Sequence, residues 1–412
     1  MNCLVIGGGA AGMFCAGLLA QYGHSVTLIE KNEKLGKKLY ITGKGRCNIT
    51  NDADRETLLQ NIVSNPKFAI SALSKFSPQD TMAFFEEKGV PLKVERGNRV
   101  FPVSDKSSDI IRALEKWLKN AGVNILLNKE VKGIKIGDNG ACGAFTNEGE
   151  ILADKVIVAT GGISYPLTGS TGDGYKWAKA LGHNIVPLRP GLNGLIVPNT
   201  SKLSGLTLKN VRAYIFDGEK ELDSEFGEML YTHKGVSGPI ILSLCSKINK
   251  YYDGKAFDRK LTLSIDLKPA IEMDELEQRL IRDFTLKPNV DIKNLMPEYL
   301  PKSLIEEVLA QANIKENTKC NSITIKMRNN LMQALKGLKY DILGIDKIEF
   351  AIITSGGVDV KEVSPKDMQS KIIPNLYFIG EVLDIDALTG GFNIQLALST
   401  AYAMARSLNE DK

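Results

Sequence analysis

Two side chains in the sequence have chemistry that suits proton transfer, a thiol and an imidazole. Cys47 closely follows Lys44 and Arg46, and neighbouring cations stabilise a thiolate, so this pattern predicts a lowered pKa for the thiol. His233 lies in a glycine-rich stretch with Ser237. We interpret Cys47 or His233 as the group that handles a proton. The structural alternatives are that Cys47 only packs beneath a loop and that Ser237 only caps a helix.

The amino-terminal residues carry the pattern of a turn that binds a nucleotide. An apolar strand at residues 2–6 is followed by Gly7, Gly9 and Gly12 in the fixed positions of G-x-G-x-x-G. Gly7 permits the tight turn, Gly9 lets the backbone approach a pyrophosphate, and Gly12 lets the next helix pack on the strand. That helix, at residues 10–22, directs its positive N-terminal end at the phosphates.

An acidic residue follows at the spacing that this type of turn requires. A second strand, residues 25–29, ends at Glu30, close to the roughly 20-residue spacing of a carboxylate that binds ribose hydroxyls. A carboxylate disfavours a 2′-phosphate, so the pattern indicates the adenosine of FAD or NAD rather than NADP. A strand, turn and helix without a ligand is the alternative.

The composition of residues 42–48 predicts a loop that packs against a ligand, although a solvated basic turn would have the same composition. The string T-G-K-G-R-C-N-I-T-N, residues 42–51, resembles the signature of an FAD-dependent family. This family contains aminoacetone oxidase-like proteins, BaiN-type bile-acid reductases and a ribosomal-RNA dihydrouridine synthase. The stretch around His233 resembles a second signature, H-x-G-x-S-G-P. The resemblance implies an α/β fold: a two-dinucleotide-binding, Rossmann-like FAD domain with an inserted β-barrel-like domain and a helical subdomain.

The carboxyl-terminal region favours FAD over NAD. A strand at residues 376–379 ends at Gly380 and Glu381, and a Thr-Gly-Gly-Phe-Asn string precedes an apolar helix that reaches about residue 405. This resembles the far FAD-binding element of the fold, in which a helix N-terminus stabilises the negative charge of the reduced flavin. An ordinary terminal helix is the alternative.

Several predicted cofactor contacts rest on analogy with FAD proteins. A strand at residues 155–159 ends at Thr160 and Gly161, and Val131 opens a predicted hairpin. The complete set of residues that we expect to bind the cofactor is Gly7, Gly9, Ala10, Ala11, Gly12, Glu30, Lys31, Lys37, Gly43, Gly45, Arg46, Cys47, Asn48, Val131, Thr160, Gly161, Gly380, Glu381, Asp386, Gly391, Phe392, Asn393 and Ile394.

The two FAD segments lie at opposite ends of the chain, so the middle is inserted. Short strands, such as residues 211–216 and 261–267, alternate there with polar turns, and helical stretches follow at residues 272–284 and 302–312. The predicted division is residues 1–188 and 350–412 for the FAD-binding domain, 189–270 and 318–349 for the β-rich insert, and 271–317 for the helical subdomain.

The composition predicts a soluble, cytoplasmic protein with no membrane partner and no metal. The 412 residues include 52 Lys and Arg against 48 Asp and Glu, a balance that neither demands nor excludes a polyanionic partner. The six cysteines form no C-x-x-C pair, which argues against zinc or iron–sulfur sites and favours reduced thiols. No apolar stretch is long enough to span a bilayer. The sequence gives no indication of oligomeric state.

The resemblance favours a reductase that delivers a hydride from reduced FAD to an activated C=C bond. The substrate would be a uridine of 23S ribosomal RNA or a small-molecule enone such as a bile-acid intermediate. With a single G-x-G-x-x-G, the chain has no separate NAD(P)H domain, so NADH or NADPH would be a transient electron donor. The alternatives are an FAD-dependent oxidase of a small amine such as aminoacetone and a non-catalytic, flavin-bearing RNA-binding factor. Cations available for an RNA-binding rim, which a solvated face would explain equally well, are Lys67, Lys75, Lys93, Arg96, Arg99, Lys326, Arg328, Lys336 and Lys339.

Overall fold

The computed structural model describes residues 1–410, which form two compact units. The first unit comprises Met1–Gly191 and residues 347–410, and the second is Leu192–Asp346. The bounds predicted for the FAD-binding domain and the insert, at 188/189 and 349/350, lie near these. A separate helical subdomain at 271–317 stays a prediction.

The secondary-structure elements alternate along the first unit and become strand-rich in the second. The strands are β1 Asn2–Ile6, β2 Ser25–Ile29, β3 Thr50–Asn51, β4 Leu92–Glu95, β5 Arg99–Pro102, β6 Asn124–Leu126, β7 Val131–Gly137, β8 Gly140–Thr146, β9 Gly149–Leu152, β10 Lys155–Val158, β11 Ile185–Gly191, β12 Leu195–Ile196, β13 Thr207–Asp217, β14 Lys220–Tyr231, β15 Gly235–Ser237, β16 Leu261–Asp266, β17 Leu338–Ile342, β18 Gly344–Ile345, β19 Ile353–Val358 and β20 Leu376–Phe378. The helices are α1 Ala10–Gln21, α2 Lys37–Gly45, α3 Arg55–Gln60, α4 Pro66–Lys75, α5 Pro78–Glu87, α6 Ser107–Asn120, α7 Asp173–Ala180, α8 Pro239–Ile248, α9 Met273–Leu286, α10 Ile292–Leu295, α11 Ile305–Gln311, α12 Ile325–Lys336 and α13 Phe392–Glu410.

A five-stranded parallel sheet forms the centre of the first unit, in the order β20-β10-β1-β2-β6. Its central strand β1 is apolar and buried from Cys3 to Ile6, as expected for a parallel strand covered on both faces. Helix α1 is buried around most of its surface and packs against α13 from the other end of the chain. The two chain ends therefore build one core.

Three smaller antiparallel groups accompany the parallel sheet. They are β3-β5-β4, β7-β8-β9 and the pair β11-β19. The predicted hairpin at residues 129–147 is present as β7 and β8. The loop predicted at residues 42–48 begins where α2 breaks: Thr42 leaves helical geometry, and Gly43 and Lys44 take left-handed conformations. The backbone is therefore irregular at the start of the segment for which the sequence predicts a loop.

The second unit is an antiparallel sheet that closes on itself. Its strand order is β17-β16-β13-β14-β15-β12-β18, and the two edge strands, β17 and β18, are separated along the chain by Leu343 alone. One continuous segment thus pairs with both ends of the sheet, which requires a barrel-like curvature. Residues of α9, α11 and α12 share one hydrophobic core with these strands.

Residues 1–410 contain neither a membrane-spanning helix nor a cluster of metal-binding side chains. No helix there has the length and apolar character to cross a membrane. No group of three or more His, Cys, Asp and Glu side chains is arranged to hold a metal ion.

Candidate functional site

The parallel strands of the first unit end in one row. Ile6 is in register with Ile29 and with Val158, and the row continues outward to Leu126 and Phe378. The residues that follow these strand ends therefore meet at the carboxyl edge of the sheet, where ligands bind in open α/β folds.

A cavity lies at this edge and is lined by residues of the first unit only. The predicted cofactor residues that line it are Gly7, Gly9, Ala10, Ala11, Glu30, Lys31, Lys37, Val131, Thr160, Gly161, Gly380, Glu381, Asn393 and Ile394. The predicted residues outside its lining are Gly12, Gly43, Gly45, Arg46, Cys47, Asn48, Asp386, Gly391 and Phe392. The structure thus brings the glycine turn and the start of α13 to one cavity, and the role of each residue in binding stays a prediction.

The three motif glycines occupy three different environments. Gly7 has φ +111°, and a Cβ there would lie 2.5 Å from the Ala159 carbonyl oxygen. A Cβ at Gly12 would lie 1.9 Å from the Gly7 oxygen, whereas one at Gly9 would meet no atom within 4 Å. Gly7 and Gly12 are therefore required for packing, and Gly9 leaves open space on the cavity side, as a pyrophosphate-binding turn needs.

Glu30 is held in a fixed orientation at the end of β2. Its Oε2 accepts from the Gly8 N–H at 2.8 Å, and its Oε1 accepts from the Asn32 N–H at 2.9 Å. A carboxylate placed in this way can accept hydrogen bonds from ribose hydroxyls.

An ion pair that the sequence reasoning missed lies in the cavity wall. Lys38 Nζ is 2.7 Å from Glu381 Oε2 and donates to Ser164 Oγ at 2.7 Å. Glu381 Oε1 also accepts from the Thr354 N–H at 3.0 Å. The sequence could not single out Lys38, because it is adjacent to the predicted Lys37. Only its contact with the distant Glu381 distinguishes it from Lys37.

A second ion pair in the cavity lining joins Lys31 and Asp173, 2.8 Å apart. Burial opposes ionisation of Asp173, but hydrogen bonds from Lys31, Thr171 and Lys176 outweigh it and lower the pKa of Asp173 to about 2. This carboxylate is charged at every physiological pH.

The carboxyl-terminal segment meets the amino-terminal turn directly. A Cβ at Gly380, which has φ +72°, would lie 2.9 Å from Ala11 Cβ. Further along, the Asn393 side chain closes its own loop, since Nδ2 donates to the Ala387 oxygen at 2.7 Å and Oδ1 accepts from the Ala387 N–H at 2.9 Å. Asn393 thus fixes the start of α13 beside the cavity.

The string at residues 42–51 is bonded to the same carboxyl-terminal loop. Asn51 Nδ2 donates to the Gly390 oxygen at 2.9 Å, and Thr50 Oγ1 donates to Gln395 Oε1 at 2.6 Å. A Cβ at Gly391 would lie 2.3 Å from the Thr50 oxygen. The absence of a side chain at Gly391 therefore allows the two segments that carry the resemblance to pack closely.

The lowered thiol pKa predicted for Cys47 is wrong. Cys47 is fully buried, and this burial raises the pKa of its thiol to about 12. The adjacent cation does not reach it, because the Arg46 guanidinium pairs with Glu95 and Asp105 and stacks 4.1 Å from the Phe101 ring. A catalytic role for Cys47 stays a prediction.

His233 lies in the second unit and is exposed. It precedes β15, and the following helix α8 has Gly238 as its N-cap, with no side-chain cap. The alternative that Ser237 caps this helix is therefore wrong, and the proton-transfer role of His233 stays a prediction.

Asp386 is buried beside the cavity residue Ile385. Burial raises the pKa of Asp386 to about 6, against hydrogen bonds from Ser64 and Ser355 that lower it. Because its side chain is not part of the cavity lining, Asp386 is placed to support the loop before α13.

The residues present fit a flavin dinucleotide. Thr160 lines the cavity, and its Oγ1 is buried and has no hydrogen-bond partner within residues 1–410. Gly9 leaves room for a pyrophosphate and Glu30 presents a ribose acceptor. Buried polar groups are almost always hydrogen-bonded, so the unpartnered Thr160 Oγ1 indicates a polar ligand.

Comparisons with known proteins agree with this site. The family model of the HI0933-like protein Rossmann domain matches residues 1–407. A ribosomal RNA dihydrouridine synthase of Haemophilus influenzae is 32% identical over 413 residues, 98% of either chain. A 3-dehydro-bile acid delta(4,6)-reductase of Clostridium scindens is 30% identical over 98% of either chain. The solved structure of a 3-ketosteroid delta1-dehydrogenase from Sterolibacterium denitrificans has the same fold, with a TM-score of 0.54 at 13% identity over 100% of this chain and 99% of that one. The chain belongs to the HI0933-like Rossmann family, and it is an FAD-dependent oxidoreductase.

Proposed function

We propose that this protein reduces the C5=C6 bond of a uridine in ribosomal RNA to give dihydrouridine. One observation carries the proposal: a chain with a cavity suited to FAD aligns over nearly its whole length with a ribosomal RNA dihydrouridine synthase. The reaction adds one hydride and one proton across the double bond. FAD, when bound and reduced, supplies the hydride.

The chain's own residues would hold the cofactor and set the charge of the cavity wall beside it. Gly9 and the N-terminus of α1 would face the pyrophosphate, and Glu30 would accept from the ribose. Lys38 and Glu381 neutralise each other at 2.7 Å, so the cavity wall beside the cofactor carries little net charge.

Cys47 is the residue we favour as proton donor to the uracil ring. Burial keeps the Cys47 thiol protonated at neutral pH. The thiol lies outside the cavity lining, so its assignment as donor rests on its place in the string at residues 42–51 and on its backbone conformation. The Cys47 backbone has φ 59°, a conformation that non-glycine residues rarely adopt and that is often retained at functional sites.

The electron donor belongs to the proposal as well. NADH or NADPH would reduce the flavin in a transient encounter, because the chain has one glycine motif of the G-x-G-x-x-G type. Anaerobic mixing of the FAD-loaded protein with each nucleotide, followed by flavin absorbance, tests this step. Absence of bleaching with both would require another reductant.

A gene deletion tests the substrate. Mass spectrometry of ribosomal RNA nucleosides from the deletion strain should lack one dihydrouridine, which wild-type protein restores. Cys47→Ala should bind FAD and fail to restore it, whereas His233→Ala should restore it. An unchanged dihydrouridine content in the deletion strain would contradict the proposed substrate, and rescue by Cys47→Ala but not by His233→Ala would transfer the proton-donor role to His233.

A small-molecule enone is the second candidate substrate, and the relative from Clostridium scindens supports it. Such a substrate requires no contact with RNA. Oxidation of the reduced protein by a conjugated steroid enone, with no oxidation by unmodified ribosomal RNA, would favour this candidate.

A further inference from the structure

The hairpin of β4 and β5 carries two exposed arginines that no carboxylate neutralises. Arg96 and Arg99 are exposed, and within residues 1–410 neither forms an ion pair. The acids of the hairpin region are engaged elsewhere: Glu95 and Asp105 both pair with Arg46 and Lys93, and these contacts lower the pKa of each carboxyl group. The unpaired positive charge is therefore concentrated at the hairpin tip.

The tip is held rigidly. Gly97 has φ 76° and Asn98 has φ 57°, and glycine and asparagine are the residues that tolerate this left-handed geometry in a turn. The Arg99 Nε donates to the Arg96 oxygen at 3.0 Å, and its guanidinium lies 5.8 Å from the Phe101 ring. A guanidinium restrained in this way loses little side-chain entropy when it binds an anion.

Asn51 ties the tip to the loop at the cofactor cavity. Its Nδ2 donates both to the Gly97 oxygen at 3.0 Å and to the Gly390 oxygen at 2.9 Å. A second link is the bond from the Asp52 N–H to the Asn98 oxygen at 2.7 Å. One side chain thus connects the arginine tip with the residues that start α13.

We propose that Arg96 and Arg99 bind phosphates of the RNA strand that carries the target uridine. The inference rests on the proposed function and names the surface through which the cavity would meet its substrate. Guanidinium groups form paired, charge-assisted hydrogen bonds with phosphates, and an extended polyanion can use two fixed cations on a hairpin that Asn51 ties to the loop before α13. A small apolar enone offers no phosphate to this tip.

The test is RNA binding by the full-length, FAD-loaded protein carrying Arg96→Gln and Arg99→Gln together. Binding to ribosomal RNA lacking the modification would be followed by fluorescence anisotropy across a range of salt concentrations. We expect affinity about 10-fold weaker and a salt dependence reduced by about 1.4, from two lost single-strand phosphate contacts at about 0.7 each. The matched control is Lys116→Gln with Lys119→Gln, two exposed cations near the end of α6 that form no ion pair within residues 1–410.

The outcomes separate this inference from the proposed function. The inference holds if the arginine variant loses affinity and salt dependence while the lysine control and the FAD content match wild type. If wild type forms dihydrouridine and the arginine variant binds RNA as tightly as the control, the phosphate contact is wrong and the function stands. If both variants weaken binding equally, the surface is non-specific and the inference fails. If wild type binds no RNA, both fail.

Discussion

Asn51 and Gly390, 339 residues apart in sequence, are joined by a hydrogen bond of 2.9 Å from the Asn51 side chain to the Gly390 oxygen. The bond links the string at residues 42–51 with the loop before α13, so the two regions that resemble FAD-binding signatures are one structural unit. The cofactor cavity therefore depends on contacts between distant parts of the chain.

Asn51→Ala should weaken FAD binding. The substitution removes the donor to the partly buried Gly390 oxygen and to the exposed Gly97 oxygen. A lost hydrogen bond of this kind costs about 0.5–1.5 kcal/mol, which corresponds to a Kd for FAD about 2- to 13-fold weaker. Titration of the apoprotein with FAD measures the effect. Asn61→Ala is the control, since Asn61 Nδ2 donates within residues 1–410 only to the Thr57 oxygen of α3. Equal FAD affinity in both variants would show that the link is dispensable.

Gly9→Ala and Gly12→Ala should separate cofactor binding from folding. A Cβ at Gly9 meets no protein atom within 4 Å, and its φ of −81° suits alanine, whereas a Cβ at Gly12 would lie 1.9 Å from the Gly7 oxygen. Gly9→Ala should retain the Tm of the apoprotein and lose FAD affinity. Gly12→Ala should lower the Tm of the apoprotein itself by several degrees. Thermal unfolding without and with FAD distinguishes the two, and a destabilised Gly9→Ala apoprotein would contradict the assigned role.

Cys47 should resist alkylation at pH 8. Its buried thiol has a pKa of about 12, so the reactive thiolate is scarce. Cys142 is partly exposed and serves as the internal comparison. Peptide mass spectrometry after brief iodoacetamide treatment should find Cys142 labelled ahead of Cys47. Preferential labelling of Cys47 would instead support the reactive thiolate that the sequence pattern predicts.

His183 should make stability sensitive to acid. Burial lowers the pKa of His183, and its Nε2 lies 2.7 Å from Ser370 Oγ. Between the ordinary pKa of about 6.5 and the lower folded-state pKa, the unfolded chain binds more protons. This contribution to stability is therefore fully present above about pH 6.5 and is lost as the pH falls from there through the folded-state pKa. Denaturant unfolding of His183→Gln should show a weaker pH dependence than wild type between pH 7 and pH 5. The exposed His233→Gln is the control and should follow wild type.

The sequence predicted those parts of the site that depend on local patterns. Gly7, Gly9 and Glu30 could be assigned because a turn, a helix start and a strand end each have fixed residue spacing. Lys38 and Asn51 could not, since their partners Glu381 and Gly390 are more than three hundred residues away. The error on the Cys47 thiol has the same origin: neighbours in sequence were taken as neighbours in space, whereas the Arg46 side chain turns to Glu95 and Asp105.

A single-turnover experiment tests directly whether reduced FAD in this protein reduces a uridine of ribosomal RNA. The purified protein is loaded with FAD, reduced without oxygen and mixed with ribosomal RNA that lacks the modification, and flavin absorbance and dihydrouridine are measured together. We expect the flavin to be reoxidised as an equal amount of dihydrouridine forms, and Gly9→Ala, which we expect to lose FAD, to form none. A protein that takes up no FAD, or a reduced flavin that unmodified RNA leaves reduced, would contradict it.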